Sequence, residues 1–290
     1  MSTTRLLKKG SRDPLVLDIQ TKLLALGFAL PRFGADGGLG DETLAAYGAF
    51  LVARGLRAAG DELPGAITPS GMAAIDAAVQ AQTPPPGNYF DERANHPHAG
   101  RSTAQPFRSW AKTTAVVLHQ TATKLGESPA RWRPVPIHLG ITRAGKIIQL
   151  YDFTEVCNHA NGLNGRGVGI EIDGYFAGVE GRLETLWQPD RKNPVRKPMD
   201  LPAAQRDAAR AAVAWIVQVV AANGGRITHI HAHRQSSAER QSDPGSLIWK
   251  EVGLWAQSSL GLSDGGAGFV VGSGLKIPKE WDPRYAANRY

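Results

Sequence analysis

The strongest constraint on this chain is a group of histidines at the ends of predicted strands, followed by an aspartate in a turn. His229, His231 and His233 alternate along one predicted strand, and Asp243 precedes a Pro-Gly pair ten residues after the last of them. A second predicted strand leads directly into His119. Two imidazoles and a carboxylate suit Zn²⁺ with one coordination position left open. An open position indicates a catalytic metal site, because water must bind there and lose a proton near neutral pH.

The spacing of the three alternating histidines does not decide which of them binds a metal. All three would lie on one face if the strand, predicted over 227–231, continued through His233. A histidine on a strand is also commonly an ordinary core or surface residue. A metal site and a set of structural histidines are therefore both open alternatives from the spacing alone.

The composition is that of an ordinary globular protein. Apolar residues make up 42% and charged residues 20% of the 290 residues, which allows two domains and a sizeable core. The sequence contains no run of 18 apolar residues that would predict a membrane span. A single cysteine, Cys157, excludes an internal disulfide and fits a reducing cytosol, and we interpret it as a buried, inert thiol. The first ten residues lack an apolar signal segment, so we expect synthesis in the cytoplasm without a signal peptide.

The net charge of +7 favours an anionic partner. Nucleic acid and the anionic polymers of a bacterial wall are both candidates on charge alone. The sequence carries no helix-turn-helix, zinc-finger or aromatic RNA-binding pattern, so we expect no nucleic-acid partner.

Three short helices are predicted near the N-terminus. Ser11 is the predicted cap of the first helix, Asp41 of the second and Thr68 of the third. Apolar residues recur on one face of each helix, as packing into a small bundle requires. The pattern predicts an all-α three-helix domain over residues 1–80, followed by a Pro-rich linker over 81–105.

The rest of the chain alternates between strand and helix patterns. Besides the strands that lead to the histidines, we predict a hairpin, a short apolar strand and two helices, over 137–151, 168–172, 202–222 and 246–260. This order predicts an α/β domain over 106–262 with a mixed central sheet flanked by helices. Residues 177–200 are basic and Pro-rich and are predicted to be an irregular insertion, and the tail over 263–290 receives no assigned role.

Four segments carry a resemblance to a known family. They are Leu-His-Gln-Thr-Ala around His119, His-Ala-Asn-Gly starting at His159, Gly-Val-Gly-Ile-Glu-Ile containing Glu171, and the segment from His233 to Asp243. In this order they resemble the zinc-dependent N-acetylmuramoyl-L-alanine amidases, the family of phage endolysins, bacterial recycling amidases and animal peptidoglycan-recognition proteins. The resemblance covers about residues 106–260, and its specificity comes from the four ordered motifs together.

The resemblance implies roles for individual residues. The metal ligands would be His119, His233 and Asp243, since the second ligand of the family stands ten residues before an Asp-Pro-Gly. Glu171 would be the general base. Many relatives carry a lysine two residues before the ligand aspartate, where this chain has Gln241, whose amide donates a hydrogen bond without a charge. His159 would contact the oxyanion or the substrate, with Arg240 as a weaker candidate.

The N-terminal region carries a second resemblance. Its Lys9-Gly10-Ser11 start, its Gln20-to-Gly27 helix and its Ala35-to-Thr43 loop are similar to the three-helix peptidoglycan-binding module of wall hydrolases. A helical bundle without a ligand is the alternative, and we favour the wall-binding module because it agrees with the amidase motifs downstream. Together, the resemblances imply a monomeric Zn²⁺ amidase that cuts between N-acetylmuramic acid and L-alanine in bacterial peptidoglycan. We expect a phage-type endolysin that reaches the wall through a holin, a secretion machine or cell lysis.

Three other functions stay open. A peptidoglycan-binding pseudo-amidase would recognise the wall without cutting it, and Gln241 is the feature that favours this alternative. A secreted antibacterial effector would perform the same chemistry in another cell. A cytosolic recycling amidase would act on soluble muropeptides, but the N-terminal module does not fit that role.

Overall fold

The computed structural model describes residues 6–82, 85–187 and 197–290. Residues 1–5 of the N-terminal segment and Thr83-Pro84 of the predicted linker lie outside the described residues. The chain divides into two compact units, one formed by 1–84 with 218–225 and the other by 85–217 with 226–290.

The first unit is built from three helices and a short antiparallel ladder. The helices are α1 (Pro14–Ala25), α2 (Asp41–Ala53) and α3 (Pro69–Gln82), and the ladder joins β1 (Leu7–Lys8) to β2 (Ala66–Ile67). The sequence prediction of an all-α domain left out this ladder, because two-residue strands leave no periodic pattern. The buried core of the unit comes from all of these elements: Leu7, Val16, Ile19, Leu23, Tyr47, Phe50, Ile67 and Ile75.

The cap of helix α1 differs from the prediction. Asp13, not Ser11, precedes the helix, and its carboxylate accepts a hydrogen bond from the Leu15 N–H at 2.9 Å. Pro14 then occupies the first helical position, where a missing N–H costs nothing. An aspartate directly before proline is therefore the stronger start signal here.

The second unit is organised around a six-stranded mixed sheet, which confirms the predicted α/β class. The strands are β3 (Tyr89–Asp91), β4 (Ala115–Gln120), β5 (Leu139–Ile141), β6 (Ile147–Gln149), β7 (Gly167–Ile172) and β10 (His229–Ala232). Their order in the sheet is β10-β4-β7-β5-β6-β3, in which β10, β4, β7 and β5 are mutually parallel and β6 is antiparallel to β5. All six residues of β4 are buried, as expected for a central parallel strand covered on both faces.

The two helices predicted over 202–222 and 246–260 lie where the sequence predicts them. Helix α4 spans Ala203–Ala222, and the final helical region runs from α5 (Ser246–Ile248) through a π-helical turn into α6 (Leu254–Leu260). Within the three described ranges, no helix has the length and apolar character needed to cross a membrane.

Two segments that were predicted to be irregular contain strands. Part of the predicted linker forms β3, which pairs in parallel with β6, and the Tyr89 hydroxyl donates to Gln149 at 2.6 Å. The start of the predicted insertion forms a hairpin of β8 (Ala177–Val179) and β9 (Arg182–Leu186). All three strands have only three to five residues, so they depend on pairing rather than on local pattern.

Candidate metal centre

Three neighbouring parallel strands deliver the candidate residues to one edge of the sheet. His119 is the fifth residue of β4 and pairs directly with Glu171 of β7. On the other side of β4, Ala232 at the end of β10 pairs with Leu118, and His233 follows at once. Because the carboxyl ends of parallel strands meet at the same edge, residues far apart in sequence come together there.

His119, His233 and Asp243 form a tight, buried cluster. Nδ1 of His233 lies 2.9 Å from Nδ1 of His119 and 2.9 Å from Oδ2 of Asp243. Nδ1 of His119 and Oδ2 of Asp243 are 3.9 Å apart. Donor atoms at about 2.0–2.1 Å from a tetrahedral zinc ion would stand roughly 3.3 Å from one another. The observed spacing brackets that value, so the three residues fit a single Zn²⁺ ion, and among the described residues they are the one group of three or more that could hold a metal.

A chain of hydrogen bonds orients the His119 ring. Nε2 of His159 lies 3.2 Å from the carbonyl oxygen of Gly167, which can only accept, so this nitrogen carries the proton. Nδ1 of His159 then accepts from Nε2–H of His119 at 2.9 Å. This leaves the lone pair of His119 Nδ1 directed at the cluster. Both ring nitrogens of His159 are engaged in these bonds, and the oxyanion or substrate contact expected from the sequence stays a prediction.

Burial keeps these imidazoles neutral. It lowers the pKa of His159 to about 3 and, together with the nearby His233 and His159 rings, lowers the pKa of His119 well below its ordinary value. Neutral imidazole is the form that binds a metal ion. Gly169 makes room for the His159 ring, since a Cβ atom at position 169 would lie 2.8 Å from Nδ1 of His159.

Asp243 divides its two oxygens between the backbone and the cluster. Oδ1 accepts from the Gln120 N–H at 2.9 Å, while Oδ2 faces His233. The buried Gln120 side chain donates to the carbonyls of Ser242 and Phe176 at 2.7 and 2.9 Å. This role of Gln120 was not predicted from the sequence, although an amide directly after a candidate ligand is a signal that could have revealed it.

Glu171 lies beside the cluster with a free carboxylate. In-register residues of neighbouring strands point to the same face, so Glu171 and His119 share one side of the sheet. No hydrogen bond joins its carboxylate to any other described residue. Burial, and then the Asp243 carboxylate, raise the pKa of Glu171 well above its ordinary range, while the positive charge of Arg240 opposes the rise.

Arg240 and Gln241 differ in their relation to the centre. The Arg240 guanidinium lies 4.1 Å from the centroid of the Trp187 ring, and its charge acts on both Glu171 and His119. Gln241 is exposed, and its side chain makes no hydrogen bond to a described residue. Among the described residues, a cation that acts on the centre therefore stands at position 240, one residue before the position that the resemblance singled out.

The other histidines lie outside the cluster. His231 stacks on Phe269 with ring centroids 4.5 Å apart, and His229 stacks on His231 at 5.3 Å. Strand β10 ends at Ala232 and a 3₁₀ turn begins at His233, so the alternation that would place all three on one face stops there. The structure thus separates His233 from the two histidines that spacing alone could not exclude.

The centre combines two imidazoles and a carboxylate that could hold a metal ion with a second carboxylate that has no hydrogen-bond partner among the described residues, an arrangement typical of zinc hydrolases. A family model described as N-acetylmuramoyl-L-alanine amidase matches residues 109–246, which contain the whole cluster and Glu171. This segment, which is a little less than half of the chain, is similar to the N-acetylmuramoyl-L-alanine amidase family.

Two curated relatives from Bacillus licheniformis match a short part of the chain. N-acetylmuramoyl-L-alanine amidase CwlL is 41% identical over 76 residues, which are 26% of this chain and 21% of the relative. A second N-acetylmuramoyl-L-alanine amidase is 38% identical over 78 residues, or 27% of this chain and 22% of that protein. The chain thus spans about a fifth of the length of these relatives.

Solved structures similar to the chain include an endolysin amidase and a PGRP. The endolysin amidase LysCS from Clostridium intestinale has 16% identity and a TM-score of 0.39, over 61% of this chain and 97% of that one. Drosophila PGRP-LB has 17% identity and a TM-score of 0.38, over 58% of this chain and 92% of that one.

Proposed function

We propose that this protein is a zinc-dependent amidase that hydrolyses the bond between N-acetylmuramic acid and L-alanine in bacterial peptidoglycan. The observation that carries the proposal is the buried cluster of His119, His233 and Asp243 with the free Glu171 carboxylate beside it. The family match over 109–246 and the names of the Bacillus relatives support the choice of substrate.

In this proposal, the residues of the centre have separate roles in metal binding and catalysis. His119, His233 and Asp243 hold the ion; when bound, Zn²⁺ supplies a Lewis acid that polarises a carbonyl group and acidifies water. Glu171 takes a proton from the attacking water and passes it to the departing amine of L-alanine. Arg240 supplies positive charge for the oxygen on which negative charge develops, as electrostatic stabilisation of such an oxygen requires.

His159 has a positioning role in this proposal. Its hydrogen bond from His119 and its own bond to the Gly167 carbonyl hold the His119 ring in one tautomer and one orientation. Metal-binding histidines commonly need such a partner for the ring nitrogen that does not bind the metal.

The proposal is tested by incubating the purified full chain with peptidoglycan sacculi. We expect release of peptides that begin with a free L-alanine amine, identified by mass spectrometry. A chelator should stop the release, and added Zn²⁺ should restore it. Sacculi that bind the protein but release no such peptides would favour the pseudo-amidase alternative, for which the neutral Gln241 is the supporting feature.

For the first unit we propose binding to the wall. The buried Gln20 amide fixes the loop before α2 by donating to Asp36 and the Gly38 carbonyl, both at 3.0 Å, and by accepting from the Gly37 N–H at 2.8 Å. Phe33, which precedes this loop, is 60% exposed. A fixed loop with an exposed aromatic ring can stack on a sugar of the glycan strand.

The wall-binding proposal is tested in the full chain carrying Glu171→Gln, so that the sacculi stay intact. We expect Phe33→Ala to reduce co-sedimentation with sacculi, whereas Leu24→Ala, a change at another exposed apolar residue, should leave it unchanged. Equal co-sedimentation of the Phe33→Ala and Leu24→Ala variants would show that Phe33 is not part of the binding surface.

We also propose the lytic role of a phage-type endolysin, with a secreted antibacterial effector as the alternative. The net charge of +7 supports a wall-directed protein because it favours approach to anionic wall polymers. Expression with and without a holin tests the route, since an endolysin should lyse the producing cell only when the holin opens the membrane.

A further inference from the structure

The segment 263–290, here called the C-terminal strap, forms no helix or ladder strand, yet it is well anchored to the second unit. It starts at the free edge of β10, where the Ile230 N–H donates to the Ser263 carbonyl and the Ser263 N–H donates to the Thr228 carbonyl, both at 2.9 Å. The strap therefore begins as an extension of the strand that leads to His233.

The strap then follows the loop that carries two of the proposed zinc ligands. The Val271 N–H donates to the Gln235 carbonyl at 2.8 Å, and the Leu275 N–H donates to the Arg234 carbonyl at 2.7 Å. Between them, Gly274 packs so closely that an added Cβ atom would lie 1.9 Å from the Gln235 oxygen. The contact thus fixes the backbone directly after His233.

Arg234 joins the strap to the far end of the same loop. Its guanidinium lies 4.9 Å from the centroid of the Trp281 ring and 5.1 Å from that of Tyr290. Nε donates to the Lys276 carbonyl at 3.0 Å, and Nη1 donates to the carbonyl of Gln241. One buried side chain beside His233 therefore connects the strap with the segment that leads into Asp243.

A second contact reaches the neighbour of the aspartate. The Tyr290 hydroxyl lies 2.5 Å from Oγ of Ser242, which also donates to the Thr185 carbonyl at 2.6 Å. Tyr290 thus touches both Arg234 and Ser242, the residues that adjoin the two loop-borne ligands.

We propose that the C-terminal strap positions His233 and Asp243 for metal binding, with Arg234 and Tyr290 as positioning residues. This inference rests on the proposed zinc site. The loop between the ligands has 3₁₀ turns and no ladder pairing of its own, so its geometry depends on contacts such as these. The strap lies outside the family match at 109–246, so this chain supports the site with residues that the matched segment does not contain.

The test compares three variants of the full chain with the wild type. Tyr290→Ala removes the ring from Arg234 and the hydroxyl from Ser242, and Tyr290→Phe keeps the ring but not the hydroxyl. Arg284→Gln is the control, because Arg284 is another strap arginine beside an aromatic ring, and its bonds go to Asp282 and Gln257. Zinc affinity is measured by competition with a chelator, and amide hydrogen exchange over 233–243 is measured in the zinc-free protein.

We expect Tyr290→Ala to weaken zinc binding about tenfold, the usual scale for a partner behind a metal ligand. Tyr290→Ala should also speed amide hydrogen exchange over 233–243. In Tyr290→Phe, zinc affinity and exchange should be closer to the wild-type values, and Arg284→Gln should change neither quantity. Wild-type affinity and exchange in Tyr290→Ala would overturn the inference. If the wild type itself binds no zinc, the proposed function fails, but the exchange measurement still decides whether the strap holds the loop.

Discussion

Strand β4 and the loop from His233 to Asp243 carry the proposed zinc ligands in two different ways. Strand β4 holds His119 in a backbone that pairs with β10 on one side and β7 on the other. The loop holds His233 and Asp243 through individual bonds, such as the Arg234 N–H to the Asp243 carbonyl at 2.9 Å and the bonds of Gln120 and the C-terminal strap. A ligand on a paired strand is placed by regular structure, whereas ligands on a loop need partners from elsewhere in the chain.

The largest expected effect comes from a loop ligand. Asp243→Asn keeps an oxygen that can accept from the Gln120 N–H but removes the negative charge that faces His233. We expect zinc affinity to fall by more than about 100-fold, which exceeds the usual effect of mutating a residue that only supports a metal ligand. Activity should fall together with zinc affinity. Chelator competition and peptide release measure both. An active Asp243→Asn protein with normal zinc content would exclude Asp243 from the ligand set.

A strand residue should separate chemistry from metal binding. Glu171→Gln preserves the shape of a side chain that makes no hydrogen bond to a described residue, so the metal ligands stay in place. We expect normal zinc content and a loss of about 10²–10⁴ in kcat, the usual scale for a general base. Metal analysis beside the peptide-release assay checks this. Loss of zinc, or near-normal turnover, would show that Glu171 has another role.

The same contrast explains how much the sequence could predict. The apolar runs of β4 and β7 and the helix ending at Ala222 follow from local periodicity, and the structure has them at the predicted places. His119 and Glu171 could be placed at strand ends for the same reason. Strand β3 and the C-terminal strap could not be predicted, because they are held by pairing and by contacts such as Arg234 with Trp281, which no local pattern records.

A third prediction concerns the cation on the loop. Arg240→Gln should lower kcat by about 10², the scale of losing one group that stabilises a developing oxyanion, and should leave zinc content unchanged. Gln241→Ala is the matched control, since that side chain is exposed and should leave kcat near the wild-type value. Steady-state rates on a soluble muropeptide compare the two. If Gln241→Ala lowers kcat and Arg240→Gln does not, Gln241 and not Arg240 stabilises the oxyanion, as the family resemblance implies.

The smallest expected effect tests whether a strand-borne ligand also needs support. His159→Phe keeps a ring but removes the nitrogen that accepts from Nε2–H of His119, so the His119 ring loses its fixed orientation. We expect zinc affinity to fall about tenfold, with Gln at the same position recovering part of the loss because its amide oxygen can accept. Chelator competition measures the affinity, and kcat at saturating zinc is measured in parallel. A lower kcat with unchanged zinc affinity in both variants would instead assign His159 to the oxyanion or the substrate. It would also mean that β4 alone is sufficient to place His119, which would make the contrast between strand and loop sharper still.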